Sequence, residues 1–150
     1  DLNNWQVVND GVMGGTSRSK FYLNSEGHGC FDGTVSLENN GGFCSVRYAF
    51  DRIALDTNKI FCLRIKGDGK DYQFRVKTKK SDAHSYIYPF RTSGQWQNIE
   101  IPASAFYPSF RGRKLDIPNY DGSNLEEIAF LIGNKKEENF QLLIDRIEVK

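Results

Sequence analysis

The sequence predicts an all-β fold, a sandwich of two antiparallel sheets of the jelly-roll type, and three observations carry that reading. Apolar residues recur with a period of two along most of the chain, as in strands with one buried face. Turn-forming clusters separate the periodic runs: Asn9-Asp10-Gly11, Asn39-Asn40-Gly41-Gly42, Gly67-Asp68-Gly69 and Asn119-Tyr120-Asp121-Gly122. Eleven Phe, seven Tyr and two Trp, with 14 Gly and one Met, favour strands and tight connections over helices.

About ten mostly antiparallel strands follow. The first three, 5–8, 17–23 and 29–36, open at Trp5 and flank the glycine-rich stretch 11–15 and the Gly27-His28-Gly29 turn. In 43–50, Cys44, Val46, Tyr48 and Phe50 share one face, and Phe43, Ser45, Arg47 and Ala49 share the other. In 60–66, Phe61, Leu63 and Ile65 alternate with Cys62, Arg64 and Lys66. In 71–78, Tyr72, Phe74 and Val76 alternate with Gln73, Arg75 and Lys77. Strands 84–90 and 96–101 carry Tyr86, Tyr88 and Trp96, and 127–133 precedes the last strand, 139–149. There Phe140, Leu142 and Ile144 alternate before the apolar phase moves to Ile147 and Val149, so a β-bulge is expected at Asp145-Arg146. Only 102–108 and 123–127 offer a helical turn.

At 150 residues and 17.1 kDa the chain is expected to form one domain, 1–150. A chain of this size buries about 70% of its unfolded surface, enough to fold without staples. Twenty Lys and Arg against nineteen Asp and Glu leave a net charge of +1, which argues against a nucleic-acid partner. No apolar run approaches the ~20 residues of a membrane-spanning helix. Cys30, Cys44 and Cys62 have neither disulfide-framework nor metal spacing, and no Asn-x-Ser/Thr sequon is present. Free thiols in a reducing, cytoplasmic setting are expected. The opening Asp1-Leu2-Asn3-Asn4 shows no signal pattern.

Catalytic chemistry is sparse. With only His28 and His84, a three-His zinc site is impossible. No GxSxG elbow is present. Gly11-Val12-Met13-Gly14-Gly15-Thr16-Ser17 lacks the Lys-Ser/Thr ending of a phosphate loop. No cofactor and no metal are expected, although Asp145 at the bulge is a candidate to hold a structural cation. On the outer sheet faces, Arg47, Arg64 and Arg75 would form one basic surface if their strands shared a sheet. Two segments hold more special residues than a plain sandwich needs: 9–19, with three glycines around Met13, and 35–47, where polar residues and glycines lead into a strand.

Those two segments carry a resemblance. Trp5 through Ser19 and Phe31 through Arg47 resemble the two opening blocks of the complex I intermediate-associated protein family. Arg64 through Tyr72, Trp96 through Gly112, and Phe140 through Ile147 resemble its later blocks, so the resemblance runs nearly end to end. Cys44 stands where the family more often has a small residue such as Ala. The resemblance implies a galactose-binding-like sandwich, no established catalysis, and either a role in assembling a respiratory or photosynthetic complex or that of a bacterial stand-alone protein. It transfers signature positions only: Asp10, Met13, Arg18, Glu38, Asn39, Arg47, Asp68 and Arg111. The leading functional expectation is a non-catalytic module that docks a protein partner through its glycine-rich loops and an Arg-bearing sheet face, with Arg47 and Arg111 gripping carboxylates. A carbohydrate-binding module using Tyr72, Tyr86, Tyr88 and Trp96 comes second, and a nucleotide-linked enzyme third.

Overall fold

The computed structural model describes residues 4–150; the side chains of Val12, Met13 and Asn40 lie outside the described part. Twelve strands follow one another: β1 (Trp5–Val7), β2 (Arg18–Leu23), β3 (Gly29–Val35), β4 (Cys44–Ala54), β5 (Ile60–Lys66), β6 (Asp71–Lys77), β7 (Ser85–Arg91), β8 (Trp96–Pro102), β9 (Tyr107–Phe110), β10 (Arg113–Lys114), β11 (Asn124–Ile132) and β12 (Glu138–Val149). They form a seven-stranded sheet, β1-β4-β11-β6-β7-β9-β10, and a five-stranded sheet, β2-β3-β12-β5-β8. All described strand pairings are antiparallel. This is the jelly-roll sandwich that the period-two pattern predicts.

All ten expected strands are present. Of the two helical turns expected, one is present in part: residues 103–105 form one short 3-10 turn, after which the chain becomes β9. The other was the wrong reading, since 124–127 begins β11. Ala103 and Phe106 are buried under the end of the sandwich. The local sequence shows neither that burial nor the edge pairing of β9 with β7.

The two sheets face each other across an aromatic core. Phe74, Val76, Ile128 and Phe130 come from the larger sheet, and Phe31, Phe61, Leu63, Ile65 and Leu142 from the smaller. Phe61 and Phe74 meet across the layers at 6.0 Å, and Phe74 and Phe130 lie 5.1 Å apart within one sheet. Each fully buried Phe contributes about 2–3 kcal/mol of transfer free energy. In β12 the expected bulge is present: Ile144 pairs with Ile65, Arg146 with Arg64, and Asp145 is the extra residue. One inserted residue moves Ile147 and Val149 onto the core side of the pleat. A second irregularity, between Leu125 and Glu127 of β11, lets β4 run on to Ala54.

Candidate functional site

Asp10 organises the loop end of the sandwich. It opens a 3-10 turn, Asp10–Met13, closed by Gly14 at φ 89°. Its carboxylate accepts from the Ser17 amide at 3.0 Å, the Ser17 hydroxyl, the Gly42 amide at 2.6 Å and the Phe43 amide at 3.3 Å. The Ser17 hydroxyl in turn accepts from the Ser36 amide at 2.8 Å. One side chain therefore ties segment 9–17 to segment 36–43. A Cβ on Gly15 or Gly41 would strike this carboxylate, so both glycines serve close approach. Burial raises the Asp10 pKa, but the Ser17, Gly42 and Phe43 donors outweigh it and hold the carboxyl below its usual value. Asp10 is 1% exposed, and its oxygens accept from donors of the two loops.

The other signature positions scatter. Met13 ends the same turn, and its side chain is outside the described part. Glu38 and Asn39 are exposed on the neighbouring 3-10 turn, with Asn39 left-handed at φ 54°. Arg18 is exposed at the start of β2, on the outer face of the smaller sheet. Asp68, in the β5–β6 connection, accepts from the Tyr72 hydroxyl at 2.9 Å and the Gln141 amide at 2.8 Å. It thereby links the two sheets. Arg111 is exposed at the β9–β10 hairpin tip, 5.2 Å above the Phe110 ring.

Arg47 stands apart on the outer face of the seven-stranded sheet. Register places Gln6, Arg47, Ala129, Arg75, Ile87 and Tyr107 in one row across β1, β4, β11, β6, β7 and β9. The adjacent row holds Glu127 opposite Lys77. Every described strand belongs to one of the two sheets, so no further sheet lies against this face. Yet Ala129 and Ile87 are each 3% exposed, and Lys77, Leu131 and Ser109 are also buried. The side chains bury one another, as in a furrow. Burial first, and then the charge of Arg47, push Arg75 down to about 10. The Arg75 Nε is buried with no hydrogen-bond partner. Lys77 donates to the Asp82 carbonyl at 2.7 Å. Burial lowers its pKa too, with Glu127 opposing and Arg47 and Arg75 adding to the shift. Arg75 was legible as an outward residue from strand alternation. Lys77, Glu127 and Tyr107 were missed, because alternation does not say which strands lie side by side.

Arg64 does not join this surface, and that expectation is corrected. It lies on the five-stranded sheet, because β5 pairs with β8 and β12. There its guanidinium sits 5.1 Å over the Trp96 ring, with its Nε 3.3 Å from Asp145. His28 packs against the same ring at 4.7 Å, with its Nε2 3.6 Å from Asp145. Asp145 therefore lies between the Arg64 guanidinium and the His28 imidazole. Among the described residues, no group of three or more His, Cys, Asp or Glu could hold a metal. The other aromatics named for sugar stacking face inward: Tyr72 is buried, and Tyr86 and Tyr88 pack against the core. A separate apolar cleft of 430 Å³ opens between the sheets, lined by Trp5, Phe21, Tyr48, Phe50, Ile147 and Val149 among others.

Comparison with known proteins agrees with this architecture. The family model described as Complex I intermediate-associated protein 30 (CIA30) matches residues 1–144. A Mus musculus protein described as complex I intermediate-associated protein 30, mitochondrial, is 27% identical over 172 residues, covering 99% of this chain and 52% of its own length. Its Drosophila melanogaster counterpart is 25% identical over 137 residues, covering 77% of this chain and 46% of its own length. The chain thus spans about half the length of the curated relatives it matches. Among solved structures, the family 11 carbohydrate-binding module of a Clostridium thermocellum cellulosomal cellulase superposes with a TM-score of 0.70. It shares 19% identity and covers 96% of this chain and 85% of its own. That likeness establishes the fold. No described helix is long and apolar enough to cross a membrane.

Proposed function

Because the chain belongs to the complex I intermediate-associated protein family, we propose that it is a non-catalytic binding module that docks a protein partner during assembly of a respiratory complex. The observation that carries this reading is the outer face of the seven-stranded sheet, where Arg47, Arg75 and Lys77 lie in rows beside one carboxylate, Glu127. Glu38, Asn39 and Arg111, exposed on loops and at the hairpin tip, are the proposed flanking contacts. Asp10 and Asp68 act through the loops they hold. The expected cytoplasmic location belongs to the proposal; the named relatives are described as mitochondrial, and fractionation of source cells decides between the two compartments.

The test is a pull-down from lysate of the source organism, with wild type beside Arg47→Glu and read by mass spectrometry. A stoichiometric partner captured by wild type and lost in the variant is the expected result. A partner retained by folded Arg47→Glu contradicts docking through this face. Carbohydrate binding is the second reading, favoured by the fold neighbours. It would rest on Trp96, whose ring already carries Arg64 and His28. A glycan array with no signal that depends on Trp96 removes it. Stoichiometric nucleotide in the purified protein would restore the enzyme reading.

A further inference from the structure

We infer that Arg47 and Arg75 form a preformed carboxylate clamp that receives an acidic segment of a protein partner across β11. The inference deepens the docking reading above and rests on it for the nature of the partner.

The argument begins with charge. The molecule as a whole is nearly neutral, at +1. Two neighbouring rows of the larger sheet nevertheless gather Arg47, Arg75 and Lys77 against Glu127, while Asp71, further along the same face of β6, pairs with Arg91. Among the described ion pairs, none involves Arg47, Arg75 or Lys77. The two arginines flank Ala129 on either side of β11, so their backbones stand two strand spacings apart, about 10 Å. Desolvation and like-charge repulsion both act on Arg75, and its buried Nε–H has no acceptor. A carboxylate against the two guanidinium groups would offset the repulsion and accept bidentate hydrogen bonds. Glu127 offsets the Arg75 charge only in part, so the site gains when a further anion arrives.

The surroundings favour a polypeptide over an acidic glycan. Beside the clamp Pro89 is exposed, whereas Ala129, Leu131 and Ile87 are buried, and Tyr107 is the aromatic of the row. Tyr72, Tyr86 and Tyr88, which could stack on sugar rings, are turned into the core.

The probe is a fluorescent hexaglutamate peptide, titrated at low and at physiological salt. The variants are Arg47→Gln, Arg75→Gln and, as a charge-matched control on the opposite sheet, Arg146→Gln. Wild type is expected to bind more tightly at low salt. Arg47→Gln and Arg75→Gln are each expected to weaken binding by about tenfold or more, the usual scale for losing a charged bidentate contact, and Arg146→Gln to leave it unchanged. Arg75→Met is expected to raise the melting temperature of the free protein, which separates loss of binding from loss of fold. The Arg75 Nε–H resonance is expected to shift on saturation. Hexaglutamate binding that is indifferent to Arg47 and Arg75 overturns the clamp, as does a face that takes oligogalacturonate and not the peptide. A lysate partner lost in Arg47→Glu, with no hexaglutamate binding, sinks the clamp and leaves docking standing. Hexaglutamate binding without any captured partner keeps the clamp and sinks the assembly reading.

Discussion

A single carboxylate shows how signature residues can act far from any partner. Asp10 takes hydrogen bonds from Ser17, Gly42 and Phe43, and its neighbours Gly15 and Gly41 leave it room. Asn in its place would turn an amide N–H₂ toward donors. Asp10→Asn is therefore expected to cost about 3 kcal/mol at neutral pH, the scale of charged hydrogen bonds lost in a buried network. The sign of the pH dependence follows from a folded pKa held below the ordinary 3.8. A depressed carboxyl pKa stabilises the folded state above the unfolded value, and the contribution is lost as pH falls through the folded one. Denaturant titrations of both proteins should show a gap that is constant above about pH 5 and narrows below 3.8. A gap that persists into acid would mean that Asp10 acts by shape alone. Arg75 is the opposite case, a cation whose burial and nearness to Arg47 outweigh the favourable influence of Glu127.

At the scale of elements, the β9–β10 hairpin departs from its local preference. Phe110 pairs with Arg113, which leaves Arg111 and Gly112 as a two-residue loop. Both have positive φ, 51° and 78°, as a type I′ turn requires. Glycine adopts this freely; arginine does not. Replacing Arg111 by Asn, the residue such turns prefer, is expected to raise stability by about 1 kcal/mol in thermal unfolding. A melting temperature that falls instead would show that the guanidinium over Phe110 outweighs the backbone cost. The same tip is a proposed flanking contact, so a more stable Arg111→Asn that captures less partner fits both readings. In β12 the local rule and the fold agree. The phase slip at Asp145 is visible in sequence because a bulge is the one way to keep Phe140, Leu142, Ile144, Ile147 and Val149 on one side of a strand.

Across the whole molecule, the three thiols report on the layers. Cys30 and Cys44 are fully buried, whereas Cys62 is half-buried on the outer face of β5. Burial, the largest influence, pushes the Cys44 thiol up to about 11, so its thiolate is about a thousandfold scarce at pH 8. A coloured thiol reagent is expected to label Cys62 first in the native protein, and Cys30 and Cys44 only as the sandwich unfolds. Early labelling at Cys44 would mean that the 36–43 loop opens without global unfolding.

The sequence by itself determined the all-β sandwich, ten of the strands, the bulge at Asp145 and the outward side of Arg47 and Arg75. Each of these depends on a period of two within one strand, and that pattern is local. The short strands β9 and β10 at one end of the larger sheet escaped it, since two to four residues are too few to show a period and Arg111 contradicts turn preference. The tertiary structure alone decided which strands adjoin. It set Arg47 beside Arg75 across Ala129 and sent Arg64 to the other sheet. It also put Asp10 against residues more than thirty positions away. Strand order is fixed by long-range pairing and by how two sheets cover one core. Alternation along a strand carries no record of that order, so a charge cluster built across strands becomes visible only when the sheets are assembled.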